Sequence, residues 1–198
     1  MNYLAHAFLS GDDPEMLIGN MAADSLKGRL PSTLQFDVIR GVRLHRRIDH
    51  LADKSEEFSS CMTVFRPKYG RYAHVLVDIA FDHLLAWNWD KYSRKNFHGF
   101  VQHVYKVLRT RRDILPHAFI PVADRILGED WLTCYESLEG LAISYERLGR
   151  RIDVEKGHLE KAVDMIEQNR DFLNGHFNSL FPKLVKLSQS FCADEKAL

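Results

Sequence analysis

Cysteine is scarce in this sequence: three residues in 198, at positions 61, 134 and 192, odd in number and far apart. That usage argues against a disulfide framework or a thiolate metal site and fits a reducing, cytoplasmic setting. Proline and glycine are also few, 6 and 11, so neither a fibrous nor a disordered chain is expected. Long hydrophobic runs are missing. Stretches such as that around Val75–Ile79 are broken by charge well short of the ~20 residues a bilayer span needs, so membrane insertion is not expected. The opening Met1-Asn2-Tyr3-Leu4-Ala5-His6 has no basic segment of the kind that begins a secretory signal. Neither sign of charge is in excess, with 27 basic residues against 27 acidic. The global basic character of a nucleic-acid binder is therefore absent, and electrostatic recognition falls to local patches. There is no glycine-rich phosphate loop and no serine or cysteine in a nucleophile elbow.

What remains reads as helix throughout, with no convincing strand alternation, repeat or linker, and predicts an all-α, single-domain helical bundle over residues 1–198. Asp12-Asp13-Pro14 predicts a capped helix running towards Asp24 or Lys27, and Pro31-Ser32 the start of the next. Leu34, Val38, Val42, Ile48 and Leu51 give that second helix an apolar stripe. Ser55-Glu56-Glu57 begins another, which Pro67 and Gly70 end or kink. Tyr72 to about Trp89 predicts a central buried helix, and Phe97–Arg112 an amphipathic one. A short helix is expected after Pro121, one capped by Asp130 and interrupted near Gly140, and one or two from Asp153 to Gln189, divided near Gly175 or Pro182.

Ten histidines is a high count for this length, and several lie one turn from an aspartate. Four clusters stand out. Asn2 and His6 are four apart, as are Asn20 and Asp24. His45-Arg46-Arg47-Ile48-Asp49 with Asp53 places His45, Asp49 and Asp53 on successive turns of one face. Asp78 and Asp82 share a face inside the most apolar segment, with His83 beside them and His74 one turn before. Imidazole and carboxylate suit Mn²⁺, Fe²⁺, Zn²⁺ or Mg²⁺, and helix bundles build such sites from i, i+3 or i, i+4 pairs pointing inwards. Carboxylates inside an apolar helix are costly unless paired, protonated or bound to a cation. Taken singly, each residue also fits a structural ion pair, and His6 a hydrogen-bonded core histidine. Four clusters of one chemistry ask for a common cause.

The stretches Asn2-Tyr3-Leu4-Ala5-His6, Gly19-Asn20-Met21-Ala22-Ala23-Asp24, His45-Arg46-Arg47-Ile48-Asp49 with Asp53, and Asp78-Ile79-Ala80-Phe81-Asp82-His83 resemble the acyl carrier protein phosphodiesterase family. The resemblance covers about the first 100 residues well and is thinner beyond, where Trp131-Leu132 and Tyr135 match most clearly. It implies an all-helical enzyme, distantly akin to HD-type phosphohydrolases, that uses a divalent ion, usually Mn²⁺. The implied reaction removes the 4′-phosphopantetheine arm from holo-acyl carrier protein. One departure stands out: the adjacent His-Asp pair of HD-type enzymes is absent, and Asp82-His83 has the reverse order.

On that basis Asp24, His45, Asp49, Asp78, Asp82 and His83 are expected to surround the metal, with His6 a further ligand candidate. Asp24, Asp49 and His83 are the catalytic candidates there: a nearby carboxylate would take a proton from water, and an imidazole would protonate the departing serine oxygen. Arg46 or Arg47 would clamp the phosphate, unless they serve as surface or interhelix ion pairs. A basic rim for an acidic carrier protein is expected at Arg43, Arg46 and Arg47, or at Lys91, Arg94, Lys95 and Arg109–Arg112. Two rivals remain open: a phosphohydrolase acting on a nucleotide or other small phosphoester, and a helical interaction module without catalysis.

Overall fold

Most stretches of helical periodicity become helices, and several start where a side chain can hold free amides. The computed structural model describes residues 1–151 and 159–194. Its helices are α1 (Tyr3–Leu9), α2 (Pro14–Ala22), α3 (Phe36–Asp53), α4 (Glu56–Tyr69), α5 (Ala73–Trp87) and α6 (Trp89–Tyr92). After these come α7 (Phe97–Thr110), α8 (Ile120–Gly128), α9 (Leu138–Arg151), α10 (Ala162–Gln168) and α11 (Arg170–Asp194). No strand is present among the described residues, so the fold is all-α. Among them, too, no helix is long and apolar enough to cross a membrane.

Asp13 caps α2 by accepting from the Met16 amide at 2.9 Å, with Pro14 in the first turn. Ser55 caps α4 through the Phe58 amide, and Asn96 caps α7 through that of Gly99. Several boundaries differ from expectation. Helix α3 starts at Phe36, because residues from Pro31 close a turn, Leu34 N to Pro31 O at 3.3 Å, and Gln35 is extended. Asp130 caps no helix. It sits at φ 50°, and its carboxylate accepts from the Tyr105 hydroxyl at 2.7 Å and that of Thr133 at 2.8 Å. Helix α9 therefore waits until Leu138, with Gly140 in its first turn. Helix α11 runs through Gly175 and Pro182 without a break. The expected helix start at Asp153 lies outside the described residues.

Helix α5 is the hub. Eleven of its residues are buried, and it contacts α1, α4, α9 and α11. Apolar side chains from α1 through α11 join it in one connected core. Helices α2 and α3 make the most intimate pair, and two glycines permit it. A Cβ on Gly19 would lie 2.0 Å from the Val38 carbonyl oxygen, and one on Gly41 would lie 2.3 Å from that of Met16. Both clashes are with backbone, so the two helices approach this closely only without side chains there. That contact sets the end of α2 directly against the middle of α3.

Candidate metal centre

Helices α1, α2 and α3 meet around Asn20, and this one side chain orients two histidines. Asn20 Nδ2 donates to the His6 carbonyl and to Ser10 Oγ, both at 3.0 Å, which leaves Oδ1 as its acceptor. His6 Nδ1 lies 2.8 Å from that oxygen and must donate to it. His45 Nδ1 lies 2.8 Å from the Asn20 backbone carbonyl and must donate as well. In the neutral form of either ring the lone pair is thereby assigned to Nε2, as happens for histidine ligands oriented by their other nitrogen. The rings stack, with centroids 3.9 Å apart and planes 19° from parallel.

Both Nε2 atoms face Asp49. His45 Nε2 is 2.9 Å from Asp49 Oδ2, and His6 Nε2 is 3.2 Å from Oδ1. One ligand atom from each of His6, His45 and Asp49 lies within 4.8 Å of the others. His6 Nε2 is buried and lacks a hydrogen-bonding partner, its approach to Asp49 being a close contact only. Burial, reinforced by the neighbouring His45, lowers the His6 pKa to about 4, so its ring stays neutral. A lone pair turned towards a carboxylate is an arrangement that a cation between them would satisfy. Two imidazoles and a carboxylate are donors that a first-row divalent ion accepts.

The carboxylates around this trio favour positive charge near them. For His45, burial alone would lower the pKa, but hydrogen bonds to Asp24 and Asp49 outweigh it and raise it to about 9. For Asp49, burial works upwards, yet the hydrogen bond from His45 and the nearby terminal ammonium hold it far below the usual carboxylate range. Asp24 lies in the 3₁₀ turn after α2, exposed, with Oδ1 3.3 Å from His45 Nε2, and the hydrogen bond from His45 lowers its pKa.

Other residues expected at the metal are held by other partners. Asp82 is fully buried and accepts the amides of Leu4 at 2.7 Å and Ala5 at 3.1 Å. It caps α1 from a neighbouring helix, because the Asn2 side chain is turned away to the Tyr135 hydroxyl at 3.0 Å. Burial raises the Asp82 pKa to about 7 against those two amides. Asp78 holds the terminal ammonium of Met1 at 2.7 Å, and that ammonium is 3.4 Å from Asp49 Oδ1. His74 bridges Asp53 at 2.8 Å and Asp78 at 3.2 Å, tying α3 to α5. His83 is buried, donates from Nδ1 to the Tyr135 carbonyl at 2.8 Å, and has its pKa lowered by burial.

Arg46 and Arg47 are exposed, and the guanidinium of Arg47 lies 5.1 Å over the Phe191 ring on α11. The expected downstream rim is largely engaged in surface pairs: Lys95 with Asp12, Arg111 with Glu15 and Arg112 with Asp124. Different cations line the cavity beside the trio. It has a volume of about 840 Å³ and is lined by Asp24 and Asp78 together with Lys27, Arg125, Arg147 and Arg150. Sequence reasoning missed these four because they come from three distant segments with no shared spacing. Asn20 was visible in its motif, but its grip on both histidines was not.

Comparison with known proteins agrees with the motifs. A family model described as acyl carrier protein phosphodiesterase matches residues 1–184, well past the first 100. Among curated relatives, the acyl carrier protein phosphodiesterase of Photorhabdus laumondii is 27% identical over 191 residues, 96% of each chain. Those of Serratia proteamaculans and Yersinia pestis are 29% and 26% identical, over 94% and 96% of this chain and 96% and 98% of theirs. No solved structure matches, and the expected HD-type kinship is without support there. Four motifs, an all-helical fold and a match over residues 1–184 lead to one conclusion: the chain belongs to the acyl carrier protein phosphodiesterase family.

Proposed function

We propose that this chain is a cytoplasmic, metal-dependent hydrolase that removes the 4′-phosphopantetheine arm from holo-acyl carrier protein. The names of its relatives supply the substrate class. The observation that carries the metal is the buried, unpartnered Nε2 of His6, turned to Asp49 beside an equally pinned His45. His6, His45 and Asp49 would hold the ion, Mn²⁺ by family resemblance, with Mg²⁺, Fe²⁺ or Zn²⁺ as alternatives. When bound, such an ion lowers the pKa of water and neutralises charge on the phosphoryl oxygens.

The chain's own groups do the rest. Asp24 is exposed, lines the cavity and is kept anionic by His45, so its carboxylate oxygen can accept a proton from the attacking water. The water oxygen bonds to phosphorus, the bond from phosphorus to the serine oxygen breaks, and a proton passes to that oxygen. Asp82 and Asn20 fix His6 through its helix and its ring, so the ligand lone pair is aimed before any ion arrives. His83 positions Tyr135 on the cavity wall.

Intact-mass measurement of holo-acyl carrier protein incubated with the enzyme and Mn²⁺ tests this reading. The expected result is loss of the arm's mass, reduced by at least about a hundredfold in His45→Ala and Asp49→Ala. No loss with any of the four metals sinks it; phosphate release from nucleotides would then move the substrate to that class.

A further inference from the structure

The cavity beside the trio is bounded by α1, α5, α8 and α9, and none of its far wall takes part in the chemistry above. The phosphorus to be attacked is bonded on one side to the carrier's serine and on the other to the pantetheine chain. With phosphorus at the trio, the protein must stay outside and the chain must leave along the surface that adjoins Asp24 and Asp78. Asp24 and Asp78 line this cavity. Its volume of about 840 Å³ is in the range of sites that enclose small organic ligands.

Resting on the reading of the trio as the hydrolytic centre, we infer that this cavity is the binding channel for the pantetheine chain, with Trp131 as its anchor. The chemistry of the wall matches that ligand. Pantetheine is an uncharged chain with a branched dimethyl carbon, two amides and a terminal thiol. It needs apolar surface interleaved with hydrogen-bonding groups. Val122, Ile79 and Leu148 supply the first, and Asn2 and Ser144 the second. Trp131 is held rigidly: its Nε1 donates to Glu129 at 3.0 Å, and the guanidinium carbons of Arg125 and Arg147 lie 5.6 and 5.9 Å from its ring centroid. Arg147 is itself fixed by the Glu129 carbonyl at 2.9 Å and carboxylate at 3.0 Å. A fixed indole with planar cations against it offers a flat face to an amide at little entropic cost.

The test compares wild type with Trp131→Ala, with Val122→Trp, which fills the channel instead of emptying it, and with Trp87→Ala, a half-exposed tryptophan outside it. Each is assayed on holo-acyl carrier protein and on bis(p-nitrophenyl) phosphate, a diester without the arm. Pantetheine affinity is read by calorimetry. The expected result is a rise of at least about tenfold in KM and in pantetheine Kd for the two channel variants, the scale of a lost anchor. Their kcat, their cleavage of the arm-free diester and all readings on Trp87→Ala should stay within about twofold. Unchanged KM and pantetheine affinity in both channel variants, with wild type cleaving the carrier normally, would overturn the channel and leave the hydrolase intact. A wild type that never cleaves the carrier would take down the substrate reading and the channel together.

Discussion

Asn20 contributes no ligand atom, yet every orienting bond on the two histidines passes through it. Its side-chain oxygen holds His6, and its backbone oxygen holds His45. Substitution should therefore be felt at the metal. Asn20→Ala keeps the backbone contact to His45 and frees the His6 ring, so Mn²⁺ affinity should fall about 10- to 100-fold, the range for lost orienting partners. A Mn²⁺ titration followed by electron paramagnetic resonance would show this, and wild-type affinity would contradict the assignment. Asp82 teaches the opposite lesson about a single residue. In sequence it stands with Asp78 as a metal ligand; in the fold its two oxygens are taken by the Leu4 and Ala5 amides. A pattern of residue types reveals that a buried carboxylate needs a partner, but not which one it finds.

Between elements, two contacts hold the site in register. The first is the α2–α3 approach over Gly19 and Gly41. Gly19→Ala would drive a Cβ into the Val38 carbonyl and force the helices apart, costing about 1–3 kcal/mol as overpacking does. A lowered melting temperature together with weakened metal binding is expected, since Asn20 follows Gly19 directly. The second contact is His74 between Asp53 on α3 and Asp78 on α5. The Asp78 hydrogen bond, with Asp53 adding to it against partial burial, raises the His74 pKa to about 9. The folded state therefore binds this proton more tightly than the unfolded chain, whose histidine titrates near 6.5. The stabilisation is complete below about pH 6.5 and disappears as pH rises through about 9. Urea midpoints of wild type and His74→Gln should differ at pH 6 and converge near pH 10; a gap that widens with pH would refute the bridge.

At the scale of the whole molecule, the trio joins α1 to α3, helices separated by some 30 residues of chain, so a bound ion would act as a cross-link in the native state alone. Ligand linkage then predicts that Mn²⁺ at a hundred times its Kd adds about 2.7 kcal/mol. Thermal melts in chelator and after Mn²⁺ readdition should show a reversible rise in melting temperature, and the rise should vanish in Asp49→Ala.

Read alone, the residues disclose the all-helical class, several helix starts and the pairing of His45 with Asp49, because capping and i, i+4 spacing act within a turn or two. They also disclose the family, through four ordered motifs. Which imidazoles share a carboxylate, which aspartate caps a helix and which arginines line the cavity depend on contacts across 30 to 130 residues. Those follow from how closely two glycines let α2 and α3 approach and from where α5 seats the first turn of α1. Local spacing carries no trace of either, since both are properties of packed surfaces that exist only once the chain has folded.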